Sequence, residues 1–281
     1  MKKAIIIPNP YKQQSVDFAL EASVFLKENG YETQILDNDE ATPWDDAEFA
    51  VVMGGDGTVL RAARRLYGKN ITLFGINFGN LGYLTEVGPQ NAIDGLSKLV
   101  SKDYKTEKRI MIEGEIIRDG KAVFEFVGLN EACIFRSSLT HALSMQVYIN
   151  GKLTENIVGD GVIVATPTGS TSYNFSASGP VLSPTSASMV ITPVSPKYFP
   201  RSSIVIDGTE NIEIKISWSR VSENGRASID VDGHMRYSLE NGDTVRIKKA
   251  QHHTLIAKVS DTSFYQILCH KLSKASPDIN E

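Results

Sequence analysis

The run Met53-Gly54-Gly55-Asp56-Gly57-Thr58 sets three glycines around one carboxylate. It lies between an apolar, strand-like segment (Phe49 to Met53) and a helix-like one (Val59 to Tyr67). Glycine permits positive φ and close approach of the backbone to a ligand. A helix N-terminus adds unpaired N–H groups and partial positive charge, which suit phosphate. A carboxylate repels phosphate unless it binds a cation or accepts a proton, so Asp56 points to phosphate chemistry rather than passive phosphate binding. The plain alternative is a tight turn in which Thr58 caps the next helix. A second glycine-rich turn, Gly75 to Gly82, weighs against that alternative, because two permissive loops at neighbouring strand ends build a cleft. Asn77 is the side chain there best placed to hydrogen-bond a ligand. Arg61, one turn into the helix, is placed to neutralise phosphate at the same mouth, or to be a plain surface arginine.

Asn130-Glu131 interrupts the apolar run Val127 to Phe135, read as one strand. Burying an amide beside a carboxylate costs several kcal/mol unless both are hydrogen-bonded. Two vicinal ribose hydroxyls would satisfy them; a local pair at a sheet edge would do so too. Asp160-Gly161 opens a further apolar strand, Val162 to Ala165, which runs into Thr166-Pro167-Thr168-Gly169-Ser170-Thr171-Ser172-Tyr173. This loop is rich in short donors and acceptors, and Tyr173 can lie flat on a heterocycle. A Ser/Thr-rich linker is the alternative, disfavoured by Tyr173 and Phe175. His234 follows the turn Asp232-Gly233 and is equally readable as a turn residue. His252 and His253 lack Cys or acidic partners at metal-ligand spacing, so no metal site is assigned to them. A Walker-A lysine motif, the protein-kinase signature set, a Gly-x-Gly-x-x-Gly at the first helix and a nucleophile elbow are all missing.

These residues must be held by two kinds of framework. Over the first hundred residues strands alternate with helices: Ala4 to Ile7, a helix over Val16 to Leu26 with Val16, Leu20 and Val24, and with them Ala19 and Ala22, at helical apolar spacing, Thr33 to Leu36, Phe49 to Met53, Ile71 to Ile76, and a helix marked by Ile93, Leu96, Leu99 and Val100. That alternation predicts parallel βαβ units, whose ligands bind at the carboxyl ends of the strands. From about Lys105 helical periodicity fades. Short strands are punctuated by Asp119-Gly120, Asn150-Gly151, Asp207-Gly208, Asn224-Gly225, Asp232-Gly233 and Asn241-Gly242, which predicts an all-β domain of two packed sheets. Phe264, Ile267, Leu268 and Leu272 mark a tail helix able to pack back on the first domain, and Ser273 to Glu281 reads as a frayed end. The expected division is an α/β domain over 1–103, joined by 262–275, and a β-sandwich-like domain over 104–261.

At 281 residues with a net charge of −4, the chain has no character of a nucleic-acid-coating protein. Its two cysteines, Cys133 and Cys269, sit in apolar runs and read as buried thiols of a reducing cytosol. The apolar run after Met1-Lys2-Lys3 ends at Pro8, too short for a signal peptide. Nothing approaches the roughly 20 apolar residues of a membrane span. The expectation is a soluble cytoplasmic protein with neither membrane nor nucleic-acid partners.

Together the segments resemble the NAD kinase family over nearly the whole chain. Gly54 to Thr58 matches its Gly-Gly-Asp-Gly-Thr signature, and Gly75 to Leu84 its Gly-x-Asn-x-Gly-x-Leu-Gly-Phe-Leu segment. Leu129-Asn130-Glu131 matches its Leu-Asn-Glu, and Asp160 to Pro180 its Asp-Gly…Thr-Pro-Thr-Gly-Ser-Thr-Ala-Tyr…Gly-Gly-Pro block. Ile191 to Pro196 is similar to a further element. The first signature alone is shared with diacylglycerol and sphingosine kinases. The resemblance implies an α/β Rossmann-like nucleotide-binding domain, a sandwich-like NAD-binding domain, and substrate in a cleft between them. It implies transfer of the γ-phosphoryl of ATP, or of polyphosphate, to the 2′-hydroxyl of the adenosine ribose of NAD, with magnesium accompanying ATP. Asp56 would act on that hydroxyl as base or orienting group, or through metal, with Gly57 against NAD. Asn130 and Glu131 would hold adenosine hydroxyls or the adenine edge. Thr168, Thr171, Ser172, Tyr173, Asn174, Phe175 and Ser176 would form the adenine-side loop, and Asp160 would reach the nicotinamide amide. His141, Val158 and His234 match further ligand-contact positions. Ser172 stands for the usual Ala, Asn174 for Ser, and Ser178 for the first Gly before Gly179-Pro180. Family members assemble as homodimers or homotetramers. The competing readings are a lipid kinase and a non-catalytic nucleotide sensor.

Overall fold

A computed structural model describes residues 1–37, 41–79, 82–137, 142–198, 202–218 and 227–275. The chain divides into two compact units, Met1–Lys108 with Leu255–Glu281, and Arg109–Thr254. The first contains β1 (Lys2–Pro8), α1 (Gln13–Glu28), β2 (Tyr31–Ile35), β3 (Phe49–Gly54), α2 (Asp56–Arg65), β4 (Thr72–Asn77), α3 (Ala92–Ser101) and β5 (Lys105–Arg109). The second contains β6 (Ile112–Arg118), β7 (Lys121–Gly128), β8 (Glu131–Arg136), β9 (Leu143–Ile149), β10 (Lys152–Gly159), β11 (Gly161–Ala165), the short α4 (Tyr173–Ser176), β12 (Ser188–Val194), β13 (Ile204–Asp207), β14 (Ile212–Ser217), β15 (Ala227–Val231), β16 (Met235–Leu239) and β17 (Thr244–Lys249). β18 (Thr254–Lys258) and α5 (Phe264–Ala275) return to the first unit.

The first unit is an α/β, Rossmann-like fold whose sheet runs β2-β1-β3-β4-β18-β5. β1, β2, β3 and β4 pair in parallel, as expected of strands such as Val51-Val52-Met53 that are buried on both faces. The pairing sets Gly54 opposite Asn77, so the two glycine-rich turns leave the same sheet edge side by side. α1 keeps Ala19 and Ala22 inward as expected but not Leu20 and Val24. Its inward stripe is Ser15, Ala19, Ala22, Ser23 and Leu26, whereas Leu20 and Val24 are 62% and 56% exposed. Small side chains let this helix lie close to the sheet, and that stripe prevails over the bulkier one beside it.

α5 packs through one stripe. The Phe264 ring lies 5.8 Å from that of Tyr83, Ile267 is buried, and the Lys271 ammonium sits 4.0 Å from the Tyr83 ring centroid. That stripe turns Leu272 and Cys269 outward, so Cys269 is exposed, against expectation, while Cys133 is buried.

The second unit is a sandwich of two six-stranded sheets, ordered β10-β9-β14-β17-β6-β7 and β13-β12-β11-β8-β15-β16. Ile116, Ile214 and Val245 of one sheet and Ile134, Val162 and Ile229 of the other share one core. Its hairpins turn where Asn/Asp-Gly pairs predicted. Asp119-Gly120, Asn150-Gly151 and Asp232-Gly233 each place two consecutive residues at positive φ; Asn224-Gly225 lies outside the described residues. The run Val127 to Phe135 is not one strand. β7 ends at Gly128 in one sheet and β8 begins at Glu131 in the other, so Leu129-Asn130 is the corner where the chain changes sheets. Among the described residues no helix is long and apolar enough to cross a membrane.

Candidate functional site

In the first unit Asp56 opens α2 at the carboxyl end of β3. Its carboxylate is gripped by the second glycine-rich turn: Oδ2 accepts the N–H of Tyr83 and Oδ1 that of Leu84, both at 2.9 Å. A carboxylate offers about four acceptor sites, so two remain for other donors. The role expected for the glycines is corrected here. Neither Gly54 nor Gly55 has a positive φ, and a Cβ on Gly55 would meet nothing within 4 Å; close approach decides at Gly54 and Gly82. A Cβ on Gly54 would lie 2.2 Å from Thr58 Oγ1, and one on Gly82 only 2.1 Å from Asp56 Oδ1. Gly57 is exposed beside the carboxylate.

The buried Asn77 side-chain oxygen accepts the Gly79 N–H at 2.8 Å and so shapes the second turn. Two residues unremarked in the sequence join this edge. Asn9 Nδ2 reaches Thr58 Oγ1 at 3.4 Å, and Lys12 Nζ donates to the Phe78 carbonyl at 2.9 Å. Arg61 instead lines a cavity of about 190 Å³ with Pro10, Tyr11, Leu36, Asp37 and Arg65, at the ends of β1 and β2. Burial, and then the Asp56 charge, push the Tyr83 phenol up.

In the second unit Asn130 and Glu131 sit buried at the sheet-switching corner. The hydroxyl-rich loop folds over them as two short helical turns rather than a strand. Ser172 Oγ donates to Glu131 Oε1 at 3.0 Å, and Thr166 donates from Oγ1 to the Leu129 carbonyl at 2.5 Å. Burial pushes the Glu131 carboxyl up to about 8; Ser172 opposes this, and the charge of Asp232 adds to it. Glu131 therefore carries its proton at neutral pH. Asn130 Oδ1 and Glu131 Oε2 are buried without a hydrogen-bond partner. An acceptor thus stands next to an acid able to donate, the complement of a hydroxyl pair or a heterocycle edge.

The rest of the loop divides by exposure. Tyr173 and Phe175 are each 44% exposed, and Ser176 is exposed. Thr168 is buried, accepting from Arg109 Nη1 at 3.3 Å, and Thr171 Oγ1 donates to the Thr168 carbonyl. Asn174 departs from the expectation of a ligand contact. It is fully buried, its Nδ2 donates to the carbonyls of Ser170 and Pro180, and its Oδ1 accepts from Thr192 at 2.6 Å. It pins the loop from inside. Val158 is half-buried near the end of β10, and Asp160 pairs with Arg136 at 2.7 Å. His234 is exposed in the turn after β15. His141 lies outside the described residues. Among the described residues no cluster of three or more His, Cys, Asp or Glu could hold a metal ion.

Comparison with known proteins decides what this arrangement belongs to. Residues 40–104 match the family model for the ATP-NAD kinase N-terminal domain, and residues 129–259 that for the ATP-NAD kinase C-terminal domain. The chain belongs to the NAD kinase family. It is 37% identical over 289 residues to the NAD kinase of Agathobacter rectalis, covering 98% of this chain and 100% of that one. Against the NAD kinase of Lachnoclostridium phytofermentans it is 33% identical over 278 residues, covering 95% and 98%. Among solved structures, an Archaeoglobus fulgidus NAD kinase in complex with ATP superimposes with a TM-score of 0.76 at 25% identity, covering 97% of this chain and 99% of that one. Yeast NADH kinase complexed with NADH shares the fold, with a TM-score of 0.87 at 18% identity over 100% of this chain and 90% of that one. These NAD kinase relatives lend no support to a lipid kinase or a silent sensor.

Proposed function

We propose that this chain is an NAD kinase, which phosphorylates the 2′-hydroxyl of the adenosine ribose of NAD with ATP to give NADP. The observation that carries the reading is the Asp56 carboxylate, fixed by two amide N–H groups at a parallel-sheet edge in a chain of this family. The 2′-oxygen attacks the γ-phosphorus, a new P–O bond forms, the bond to the β,γ-bridging oxygen breaks, and ADP leaves. Asp56 accepts the hydroxyl proton at one of its two remaining acceptor sites. Such transfer depends on alignment and charge neutralisation more than on covalent chemistry, which favours a base already held in place. A divalent cation such as magnesium would be carried in by ATP and would supply neutralisation of phosphate charge.

Asn130 and Glu131 hold the adenosine by their free acceptor and donor, and the exposed Tyr173 offers a face to the heterocycle. Thr168, Thr171, Ser172, Phe175 and Ser176 shape the surrounding loop. Asp160, with Val158, His141 and His234, would serve the nicotinamide side. Family membership supports a homodimer or homotetramer working in the cytoplasm.

The test is NADP formation followed with an NADP-specific dehydrogenase, offering ATP or polyphosphate as donor and NAD or NADH as acceptor. A positioned base contributes about 10²–10⁴-fold, so Asp56→Asn should lose at least that lower factor in kcat with its fold intact. Near-normal turnover in Asp56→Asn would overturn the assignment.

A further inference from the structure

Asp232 stands in the turn after β15 with a left-handed backbone, φ +54°, and a buried side chain. Its carboxylate accepts three successive backbone N–H groups from the sheet-switching corner. Oδ2 takes that of Leu129 at 2.8 Å, and Oδ1 takes those of Asn130 at 2.8 Å and Glu131 at 3.1 Å. The Asp232 N–H in turn donates to the Glu131 carbonyl at 3.1 Å. A change of sheet leaves backbone donors without a ladder partner, and a buried ionised acceptor satisfies them strongly. The corner's carbonyls are held from the other side, Leu129 by Thr166 Oγ1 and Asn130 by the Thr166 N–H at 2.8 Å. The backbone of this corner is therefore fully committed, while the Asn130 and Glu131 side chains keep buried atoms without partners. Gly128 makes room for the arrangement, since a Cβ there would lie 2.7 Å from Val231 Cγ1 and 3.1 Å from Asp232 Oδ1.

We propose that Asp232 is the positioning residue that sets the Asn130-Glu131 pair for the adenosine of NAD. This rests on the NAD kinase reading and adds a residue that acts through the pair rather than by touching substrate. The competing reading makes Asp232 a turn residue and nothing more, replaceable by any residue that tolerates positive φ. Asp232→Asn separates the two, because asparagine also adopts left-handed backbone readily. It has one acceptor oxygen instead of two, so an amide NH₂ must face one of the three N–H groups. A hydrogen bond of this charge-assisted kind is worth about a decade in an equilibrium constant. Asp232→Asn should raise KM for NAD at least about tenfold, with KM for ATP and kcat at saturating NAD within about threefold.

A second readout follows from charge. Glu131 is faced by Asp232 and Asp230 across the sheet, by Ser172 and the Tyr173 N–H from the loop, and has Cys133 on its own strand. Removing one negative neighbour lets Glu131 ionise at lower pH, so the break in KM for NAD against pH should move to lower pH. A purely structural role would lower the thermal transition while leaving KM for NAD unchanged at fixed pH below the break.

Unchanged KM for NAD in folded Asp232→Asn overturns the proposal. If that variant does not fold, Gly128→Ala, which presses on Val231 and Asp232, replaces it, and normal KM for NAD there is equally fatal. Amide exchange at Leu129, Asn130 and Glu131 without nucleotide should be faster in Asp232→Asn than in the parent, and equal protection would also overturn it. Should the parent chain form no NADP, the functional reading fails while the exchange arm still decides the role of Asp232 in the corner.

Discussion

Asp56 is bounded by van der Waals contact as well as by hydrogen bonds, and Gly82→Ala tests that boundary. The added Cβ would sit 2.1 Å from Asp56 Oδ1, 2.8 Å from its Cγ and 2.7 Å from Thr85 Oγ1. Optimal separations between non-bonded heavy atoms are about 3.5–4.0 Å, so the carboxylate must retreat by more than about 1 Å. Gly82 is not at positive φ, so alanine brings no backbone strain of its own, and the displacement falls on Asp56. That movement breaks the bonds from Tyr83 and Leu84. Each is worth about 1.5–3 kcal/mol, partly recovered from water because Asp56 is only half-buried. A misplacement of about 1 Å in a reacting group costs on the order of 10²-fold, equivalent to about 2.7 kcal/mol of barrier. The expected result is a fall in kcat of about a hundredfold in the NADP-forming assay. KM for NAD should change by only a few-fold, since Asn130 and Glu131 are untouched. The decisive measurement is the cycle with Asp56→Asn. Once the displaced group has lost its function, Gly82→Ala should cost less than about threefold more. A Gly82→Ala enzyme with near-parental kcat, or two substitutions whose effects multiply in full, would refute the steric argument.

Two further outcomes follow from features away from Asp56. Glu131, pushed up to about 8 by burial, binds a proton in the folded state that the unfolded chain releases above the ordinary carboxylate value of 4.5. The folded state thus binds more protons across that interval, and the parent should lose stability, by a few kcal/mol, as pH rises from about 4.5 to about 8. Glu131→Gln should flatten this slope, and parallel denaturation profiles for the two proteins would count against the buried-acid assignment. Ser178 carries a side chain yet adopts φ +64°. Left-handed backbone costs a side-chain-bearing residue about 1–2 kcal/mol, against about 0.4–1 kcal/mol of extra unfolded-chain freedom for glycine. Ser178→Gly should therefore stabilise the protein by about 0.5–1 kcal/mol in denaturant titrations, and a loss of stability would contradict the strain.

What the sequence revealed was whatever is encoded within a few residues. Apolar runs such as Val51-Val52-Met53 announce strands buried on both faces, and pairs such as Asp119-Gly120 and Asn150-Gly151 announce turns needing two positive φ values. Long-range satisfaction stayed hidden. Asn130-Glu131 read as polar intruders in one strand because Asp232, the partner that makes them a corner, lies about a hundred residues away. Asn174 looked like its hydroxyl-rich neighbours. Composition does not tell which members of such a loop turn to Ser170, Pro180 and Thr192 in the interior. Lys12 carries no local signal at all; only the fold brings its ammonium to the Phe78 carbonyl. Gly54 and Gly82 were conspicuous, but what they supply is room for Thr58 and for the Asp56 carboxylate, a property of neighbours rather than of φ.

The two parts of the candidate site meet opposite physical requirements. Asp56 is held in advance by two N–H groups, so on the proposed reading little reorganisation would remain when the proton moves, which is where a pre-set environment contributes most. Asn130 and Glu131 are the reverse, each retaining a buried atom with no partner. Leaving such groups unmet costs about 1–3 kcal/mol apiece. Only a ligand with matching donors and acceptors removes that cost, and an analogue lacking them is rejected strongly for the same reason. An acyl chain has neither. On the proposed reading, the unpaired atoms that make this corner expensive in the free protein would select a polar adenosine over a lipid, while the chemistry would stay with a carboxylate already in place.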